Sequence, residues 1–364
     1  MTDVDDLDRL LVPPGLRENA RAALSQPSPL RAVAQVLVDG VNEATLAEAA
    51  ASAMMLRAEA PMDRVLWAIT DVLLYSQVPN YHWGMVADAP RNAAYAAAIA
   101  ACIEPGMTVL EIGAGTGLLA MLAARAGAGH VFTVEANPLM ARVARACIAS
   151  NGFGDQITVV DGHSTRMSAG TELPERADVL IHEILSSDLV GEGVVPSVAH
   201  AKAELLVPNA TLLPERLAAV GVLANSPSRH YLQEARVEGF DLSPLATIDA
   251  ASLKSGTRGC LRLSDPAPLV RFDLRRDLPH RGEGTMHMTA TTAGQAGGVE
   301  QWIAMAFPDD TSLTSDDPTS HWSTCFHPFG TSVDVVGGTA LPIAVAYTPE
   351  FLSVGLADVQ NAIT

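Results

Sequence analysis

The sequence predicts an α/β protein in which a parallel sheet lies between an N-terminal helical segment and a C-terminal antiparallel β domain. Two observations lead to this prediction. Between residues 88 and 223, short apolar runs alternate with helical stretches, a pattern typical of parallel strands joined by crossover helices. After Val222 the sequence changes to β-rich runs separated by turn residues, which is typical of antiparallel strands.

Residues 1–80 form the first predicted region. They are rich in Ala, Leu and Met, and their apolar positions recur at helical spacing, as at Leu46, Ala49 and Ala53. Such spacing places apolar side chains on one face of a helix. Pro61 stands where a new helix can begin. We expect a small helical bundle or cap over 1–80.

Residues 81–223 form the second predicted region, the parallel sheet with helices on both faces. Its candidate strands are Thr108–Ile112, His130–Val134, Ile157–Val160, Asp178–His182 and Leu212–Leu213. Candidate helices between them include Leu118–Ala126 and Pro138–Ser150. Residues 224–364 form the third region, a β barrel or sandwich whose candidate strands are Leu269–Leu274, Thr285–Thr289, Gln301–Phe307 and Leu341–Tyr347. Segment 228–258 is an exception, which we expect to be partly helical.

Composition narrows the class of partner. The 364 residues carry 23 basic and 41 acidic side chains, a net charge of −18. This field repels nucleic acids and anionic membranes and favours a cationic ligand. The four cysteines are widely spaced, so we expect neither a disulfide framework nor a metal site. No signal-peptide pattern and no apolar run of ~20 residues occurs, so we expect a soluble cytoplasmic protein with no membrane partner.

The strongest local motif is the glycine-rich turn Glu111-Ile-Gly113-Ala-Gly115-Thr-Gly117, directly after the first strand. Glycines allow a sharp turn and let a ligand approach the backbone. Glu135 ends the next strand 18 residues beyond Gly117, where its carboxylate can accept hydrogen bonds from both hydroxyls of a ribose.

Two cofactors compete for this turn. A dinucleotide fingerprint is G-x-G-x-x-G, whereas this turn has the spacing G-x-G-x-G. Glu111, two residues before the first glycine, suits a ligand with an ammonium group and no pyrophosphate. The turn therefore favours S-adenosylmethionine over NAD, and a plain tight turn explains neither the three glycines nor the two acids.

A second motif follows the fourth strand, where Glu183 and Glu192 lie nine residues apart across a short loop. The carboxyl edge of a doubly wound sheet is where ligands bind. Two carboxylates facing one pocket would hold a planar guanidinium by paired charge-assisted hydrogen bonds. They would also fix one nitrogen for attack on a methyl group. The alternative is a solvated acidic loop, because acidic residues are common in loops.

This loop resembles the double-E loop of the protein arginine methyltransferases. Its sequence, Gly191-Glu-Gly-Val-Val-Pro-Ser, is most similar to that of the branch that includes the monomethylating type III enzymes. The segment that begins His82-Trp-Gly-Met-Val-Ala-Asp, with Arg91 after it, resembles the family's segment before the first strand. Ser320-His-Trp resembles its Thr-His-Trp loop.

Two further segments extend the resemblance over residues 82 to about 326. His163-Ser-Thr resembles the adenine-side segment of the same branch, and Gly239-Phe-Asp-Leu-Ser resembles part of the dimerisation arm. The resemblance implies a Rossmann-like class I methyltransferase domain followed by a β barrel, with a helical dimerisation arm near 228–258. It also implies S-adenosylmethionine as cofactor, arginine or an arginine-containing molecule as substrate, and a homodimer.

The candidate site combines these motifs with the roles that the resemblance implies. The catalytic candidates, in which Asp88 orients His321 as a proton relay, are Glu183, Glu192, His321 and Asp88. The cofactor-binding candidates, with Arg91 at the cofactor carboxylate, are Arg91, Glu111, Gly113, Gly115, Gly117, Glu135, His163 and Ser164. The substrate-binding candidates are Met85, Trp322 and His82.

Three departures from the family pattern bear on substrate and product. Ser320 replaces the usual threonine, Arg166 follows the His-Ser-Thr segment where the family has an acid, and residues before 80 have no assigned counterpart. We expect monomethylation of free L-arginine or a small guanidino metabolite. The alternatives are methylation of Arg-rich peptides, methylation of another nucleophile, and a non-catalytic scaffold that binds S-adenosylmethionine.

Overall fold

The computed structural model describes residues 16–357, except 24, 43–44, 76, 226–235, 242–243, 245–252 and 256–259. The described chain begins with four helices, which are α1 (Arg17–Ala23), α2 (Pro29–Gly40), α3 (Leu46–Glu59) and α4 (Arg64–Tyr75). Pro29 begins α2, where its missing N–H would have no partner in any case. The four helices pack around a hydrophobic core of their own, which includes Leu37, Leu56 and Leu66. We call this unit the helical bundle.

The central unit is a five-stranded parallel sheet with the strand order β3-β2-β1-β4-β5. Its elements are α5 (Tyr81–Ala87), α6 (Ala89–Cys102), β1 (Thr108–Ile112), α7 (Leu118–Ala126), β2 (His130–Glu135), α8 (Pro138–Ser150), β3 (Ile157–Asp161), β4 (Ala177–His182), α9 (Val194–His200) and β5 (Leu206–Leu213). The order reverses at β1, which is the position where doubly wound sheets bind ligands. The predicted fold class is therefore confirmed.

The C-terminal unit consists of antiparallel strands in a barrel-like arrangement. Its longer strands are β6 (Arg216–Asn225), β11 (Ala267–Asp273), β12 (Gly282–Thr289), β13 (Gly294–Ala306), β15 (Thr324–Val335), β16 (Ala340–Tyr347) and β17 (Leu352–Leu356). The shorter strands are β7 (Arg236–Val237), β8 (Phe240–Asp241), β9 (Leu253–Ser255), β10 (Leu261–Arg262) and β14 (Ser312–Thr314). One sheet has the order β10-β6-β13-β15-β9, and a second has the order β12-β16-β17.

The predicted boundary at 223 and the predicted helical arm both fall in this part of the chain. The predicted boundary at 223 falls inside β6, and β6 pairs with β13 along most of its length. The change of architecture therefore lies between β5 and β6. Most of the predicted helical arm, 228–258, lies outside the described residues. Its described parts include the short strands β7 and β8, which pair with each other, and β9, which pairs with β15.

One hydrophobic core continues from the parallel sheet into the β domain. Tyr95 of α6 packs edge-on against Phe307 at the end of β13, with ring centroids 5.0 Å apart. Close packing of this kind leaves little freedom between two units. Loops from the β domain are thus held in fixed positions over the sheet's carboxyl edge.

None of the described helices combines the length and the apolar character that a membrane-spanning helix requires.

Candidate active site

A cavity of about 450 Å³ opens at the carboxyl edge of the parallel sheet, a typical size for a small-molecule site. It is lined by residues from α5, from the ends of the first four strands and from one loop of the β domain. Most of the predicted site residues line it, namely His82, Met85, Gly113, Gly115, Glu135, His163, Ser164, Glu183, Glu192, His321 and Trp322. Asp88, Arg91, Glu111 and Gly117 do not line it.

The glycine turn forms one wall of this cavity. Gly113, Gly115 and Gly117 all have positive φ angles, of 89°, 53° and 78°, which favour glycine over other residues. A Cβ on Gly115 would lie 3.3 Å from Cε of Met85, so a side chain there would crowd Met85 at the cavity wall. Gly117 has a different role, because it precedes α7 and a Cβ there would lie 3.0 Å from the Ile148 side chain.

Glu135 lies beside the glycine turn and is oriented by two backbone groups. Its Oε2 accepts a hydrogen bond of 2.9 Å from the N–H of Gly115, and its Oε1 accepts one of 2.8 Å from the N–H of Asn137. Each carboxylate oxygen can accept a further hydrogen bond. Glu135 therefore has the placement and the remaining acceptor capacity that the ribose hydroxyls of a nucleoside require.

Glu111, the other acid of the motif, is fully buried beneath the turn. Thr133 Oγ1 donates to its Oε2 over 2.5 Å, and burial raises the pKa of this carboxyl to about 8. Its neighbour Ile112 lines the cavity instead. Direct contact between Glu111 and a cofactor ammonium group remains a prediction.

Arg91 and Glu183 form a buried ion pair next to the cavity. Nη2 of Arg91 lies 2.8 Å from Oε2 of Glu183, and their side chains are only 4% and 5% exposed. Burial raises the pKa of Glu183, although the nearby charges of Arg91 and His321 oppose the shift. The sequence did not predict this pair, since the motifs lie 92 residues apart. Contact between Arg91 and a cofactor carboxylate stays a prediction.

Asp88 and His321 meet although 233 residues separate them. Oδ2 of Asp88 accepts hydrogen bonds of 2.9 Å from both the backbone N–H and Nδ1 of His321. Burial raises the pKa of Asp88, but these bonds and one from the backbone N–H of Arg91 outweigh it, so the pKa lies below its usual value. Nε2 of His321 lies 3.9 Å from Oε1 of Glu183.

The β domain fixes the loop that follows β4. Trp322 Nε1 donates to the carbonyl of Leu185 over 2.6 Å, and Gln301 Nε2 donates to the carbonyl of Ser187 over 3.1 Å. Gln301 is fully buried in β13 and was not among the site residues predicted from the sequence. Its position within an apolar strand was the available signal. A buried polar residue in such a strand needs a hydrogen-bond partner.

Glu192 and Tyr81 lie at the mouth of the cavity, where Glu192 is exposed and Tyr81 is about half-buried. Tyr81 was also not among the site residues predicted from the sequence. Partial burial raises the pKa of Tyr81 to about 12, and the negative charges of Glu192, Glu135 and Glu183 add to the shift. The pKa of this one tyrosine is thus raised by three carboxylates around the same cavity. The phenol keeps its proton at neutral pH and can donate a hydrogen bond.

The remaining predicted residues complete the lining. His82 packs against Tyr81 with ring centroids 4.4 Å apart and ring planes tilted by 41°, and burial lowers the pKa of His82. His163 bonds Thr165, and Ser164 is buried beside it. Within the described ranges, no group of His, Cys, Asp or Glu side chains could hold a metal ion. The glycine turn and Glu135 fit an adenosyl group, while the carboxylates of Glu183 and Glu192 fit a cationic one.

Comparisons with known proteins agree with this geometry. Residues 96–205 match the profile of the ribosomal protein L11 methyltransferase family, PrmA. The fold resembles the PRMT1 enzyme–prozyme heterotetrameric complex of Trypanosoma brucei with AdoHcy, with a TM-score of 0.66 and 22% identity over 78% of this chain and 95% of that chain. It also resembles protein arginine methyltransferase 10 of Arabidopsis thaliana, with a TM-score of 0.62 and 21% identity over 74% and 88% of the two chains.

Curated relatives give the sequence comparison. Arginine N(omega)-methyltransferase of Streptomyces achromogenes subsp. streptozoticus is 38% identical over 285 residues, which are 77% of this chain and 79% of the relative. Protein arginine N-methyltransferase 1.6 of Arabidopsis thaliana is 30% identical over 72% of this chain, but the match spans only 41% of its length. Protein arginine N-methyltransferase 7 of Drosophila melanogaster is 31% identical over 64% of this chain and 37% of its own length.

The fold and the cavity together define a methyltransferase that uses S-adenosylmethionine as its methyl donor. The glycine turn and Glu135 line one part of its cavity, and the loop after β4 contributes the two carboxylates of Glu183 and Glu192. The chain belongs to the protein arginine N-methyltransferase family.

Proposed function

We propose that this protein transfers one methyl group from S-adenosylmethionine to a guanidino nitrogen of free L-arginine or a small guanidino metabolite, giving N-omega-monomethylarginine in the case of arginine. The observation that carries the proposal is that Glu183 and Glu192 both line one cavity beside His321. Two carboxylates around one cavity suit a planar cation with several N–H donors.

Substrate orientation is the first task of these residues. Glu183 is held by Arg91 at one oxygen, and its other oxygen lies toward His321. Glu192 approaches from the exposed rim. A guanidinium held between them has little freedom to rotate, so one nitrogen is kept in line with the methyl group. Positioning of this kind accounts for a large share of catalysis in two-substrate reactions.

The methyl transfer also requires loss of a proton. Bound S-adenosylmethionine supplies an electrophilic methyl group on its sulfonium. A guanidinium is protonated in proteins, so the attacking nitrogen must lose a proton during or after the transfer. Nε2 of His321 faces the site and can accept that proton, while Asp88 holds Nδ1 and stabilises the charged ring.

A free amino acid as substrate is supported by the comparison of chain lengths. The relative named arginine N(omega)-methyltransferase matches over 79% of its length, whereas the two relatives named protein arginine methyltransferases match over 41% and 37%. The branch that the double-E loop resembles includes monomethylating enzymes, which supports transfer of a single methyl group. The catalytic, cofactor-binding and substrate-binding roles predicted from the sequence for the site residues are part of the same proposal.

A peptide substrate is the second candidate, and one observation favours it. Among the described residues that line the cavity, none is Lys or Arg, so no such side chain is there to hold the α-carboxylate of free arginine. The exposed Glu192 and the net charge of −18 would attract a basic peptide. We further propose a cytoplasmic homodimer; assembly into an oligomer is supported by the heterotetrameric complex named for the Trypanosoma brucei neighbour.

The proposal is tested by mass spectrometry of the purified protein incubated with S-adenosylmethionine, free L-arginine and an Arg/Gly-rich peptide together. We expect free arginine to gain one methyl group and the peptide to remain unmodified. The Glu183→Gln variant, incubated separately with the same three compounds, is the control for contaminating activity.

Each other outcome would revise the proposal. Methylation of the peptide alone would replace the free amino acid with a protein substrate. Accumulation of dimethylarginine would overturn the single transfer. Absence of any product, with the cofactor still bound, would favour another guanidine or a non-catalytic scaffold.

A further inference from the structure

Asn137 lies in the turn between β2 and α8 and makes contacts in three directions. Its backbone N–H donates to Oε1 of Glu135 over 2.8 Å. Its Oδ1 accepts the N–H groups of Leu139 and Met140 at the start of α8, over 2.9 and 3.2 Å. Its Nδ2 donates to the carbonyl of Gln77 over 2.7 Å.

The third contact, from Nδ2 of Asn137 to Gln77, is the unusual one, because Gln77 lies outside the parallel-sheet unit. Gln77 follows α4, the last helix of the helical bundle. Capping a helix requires only a side-chain acceptor, which Ser, Thr or Asp also provide. The Nδ2 donor is therefore not needed for the cap. It connects the cofactor-side turn to the bundle.

A hydrophobic contact reinforces this connection. Leu139, two residues after Asn137, is buried and belongs to the core of the bundle rather than to the large core shared by the sheet and the β domain. Val78, next to Gln77, packs against the same bundle core. The contacts between the bundle and the turn after β2 thus include a hydrogen bond and a buried apolar side chain, close to the predicted ribose-binding carboxylate.

We infer that Asn137 is a positioning residue through which the helical bundle holds Glu135 in the orientation that binds the cofactor ribose. This inference rests on the cofactor of the proposed function and does not depend on the methyl acceptor. The bundle becomes part of the cofactor site without touching the cofactor. Because coupling between two sites is reciprocal, bound cofactor should in turn stabilise the bundle.

The test uses the full chain and S-adenosylhomocysteine, whose binding is measured by isothermal titration calorimetry. Asn137→Ser keeps an acceptor for the cap of α8 but loses the bond to Gln77. We expect its Kd to rise about fivefold, the effect of one lost hydrogen bond. Asn137→Ala loses both the cap and the bond, and its Kd should rise further.

A second pair of variants separates coupling from general loss of stability. Leu66→Ala weakens the bundle core, and Ile343→Ala weakens the β domain; both residues are fully buried. We expect Leu66→Ala to raise the Kd and Ile343→Ala to leave it unchanged. Hydrogen exchange supplies the reciprocal measurement. S-adenosylhomocysteine should slow exchange in α4 of the wild type and should do so less in Asn137→Ser.

The outcomes decide the inference without reference to turnover. An unchanged Kd in Asn137→Ser, with a raised Kd in Asn137→Ala, would reduce Asn137 to a helix cap and overturn the inference. Equal effects of Leu66→Ala and Ile343→Ala would also overturn it, as would failure of the wild type to bind S-adenosylhomocysteine. If coupling is found but no substrate is methylated, only the proposed function fails.

Discussion

The two glutamates of the cavity stand in opposite environments. Glu183 lies in a buried wall made with Arg91, Asp88 and His321, where every member has a charged or hydrogen-bonded partner. Glu192 lies on an open rim beside Tyr81 and is exposed to solvent. Charges interact more strongly where water is excluded. The buried wall is therefore the more tightly held side of the cavity, and the rim is the side open to solvent.

The largest expected difference between the two regions concerns catalysis. Glu183→Gln should lower kcat by about a thousandfold, the upper range for loss of one oriented electrostatic group. Glu192→Gln should lower kcat by about a hundredfold or less, because solvent screens the lost charge at the rim. Steady-state kinetics measures both. Equal losses in the two variants would contradict the distinction, and S-adenosylhomocysteine binding by each variant controls for misfolding.

A smaller effect concerns stability. Arg91→Met removes one partner of the buried pair and leaves Glu183 as an uncompensated charge. Loss of such a partner costs about 3–5 kcal/mol in free energy of unfolding, so we expect about 3 kcal/mol from urea denaturation at pH 8. The loss should shrink at lower pH, where Glu183 takes up a proton and loses its charge.

Glu192→Gln is the matched comparison for the rim. We expect it to change the free energy of unfolding by less than about 0.5 kcal/mol, as for most surface substitutions. A loss as large as that of Arg91→Met would show that the rim is as strongly constrained as the buried wall.

The smallest effect is a displacement of the pH profile. Burial raises the pKa of Glu183 above its usual value of 4.5, and only the ionised carboxylate binds a guanidinium. A raised pKa means that ionisation is lost at a higher pH as the solution is acidified. We therefore expect kcat/KM to fall with decreasing pH through a midpoint above 4.5. A midpoint at or below 4.5 in the wild type would contradict this assignment, and the residual activity of Glu183→Gln should lack that limb.

Features set by neighbouring residues were predicted better from the sequence than features set by contacts between distant parts of the chain. The strands β1 and β3 and the helices α7 and α8 were predicted to within a residue, because their patterns are local and end at turn residues. Only the last two residues of β5 were predicted. Its earlier part contains Pro208 and Asn209, the latter with a φ of 61°, and these residues obscure the strand pattern.

Strand β13 shows the same limitation in the β domain. It begins at Gly294, although the sequence predicted a start at Gln301. Gly297 and Gly298 weaken the strand pattern, because glycine has low strand propensity. At Gly298 a Cβ would collide with the carbonyl of His327 on the neighbouring strand. The reason for that glycine lies in a strand pairing that no local pattern records.

The site was predicted in the same uneven way. The cofactor side, with Gly113, Gly115 and Glu135, follows from one short motif, and these three residues line the cavity. The meeting of Asp88 with His321 came only from a family resemblance. The pair of Arg91 and Glu183 was not predicted, since it joins two motifs that had been given separate ligands. Ion pairs between distant segments depend on how the units pack, which no single segment of the sequence specifies.

The ion pair of Arg91 and Glu183 bears on how the protein is prepared. The carboxylate of Glu183 already binds a guanidinium, that of Arg91, at 2.8 Å, and so its chemistry does not depend on the rest of an arginine molecule. Small guanidinium salts, and arginine added to keep proteins in solution, carry the same group. Preparations made in such buffers would begin each assay with a competitor in place. Comparable affinities will therefore require storage and refolding solutions that contain neither compound.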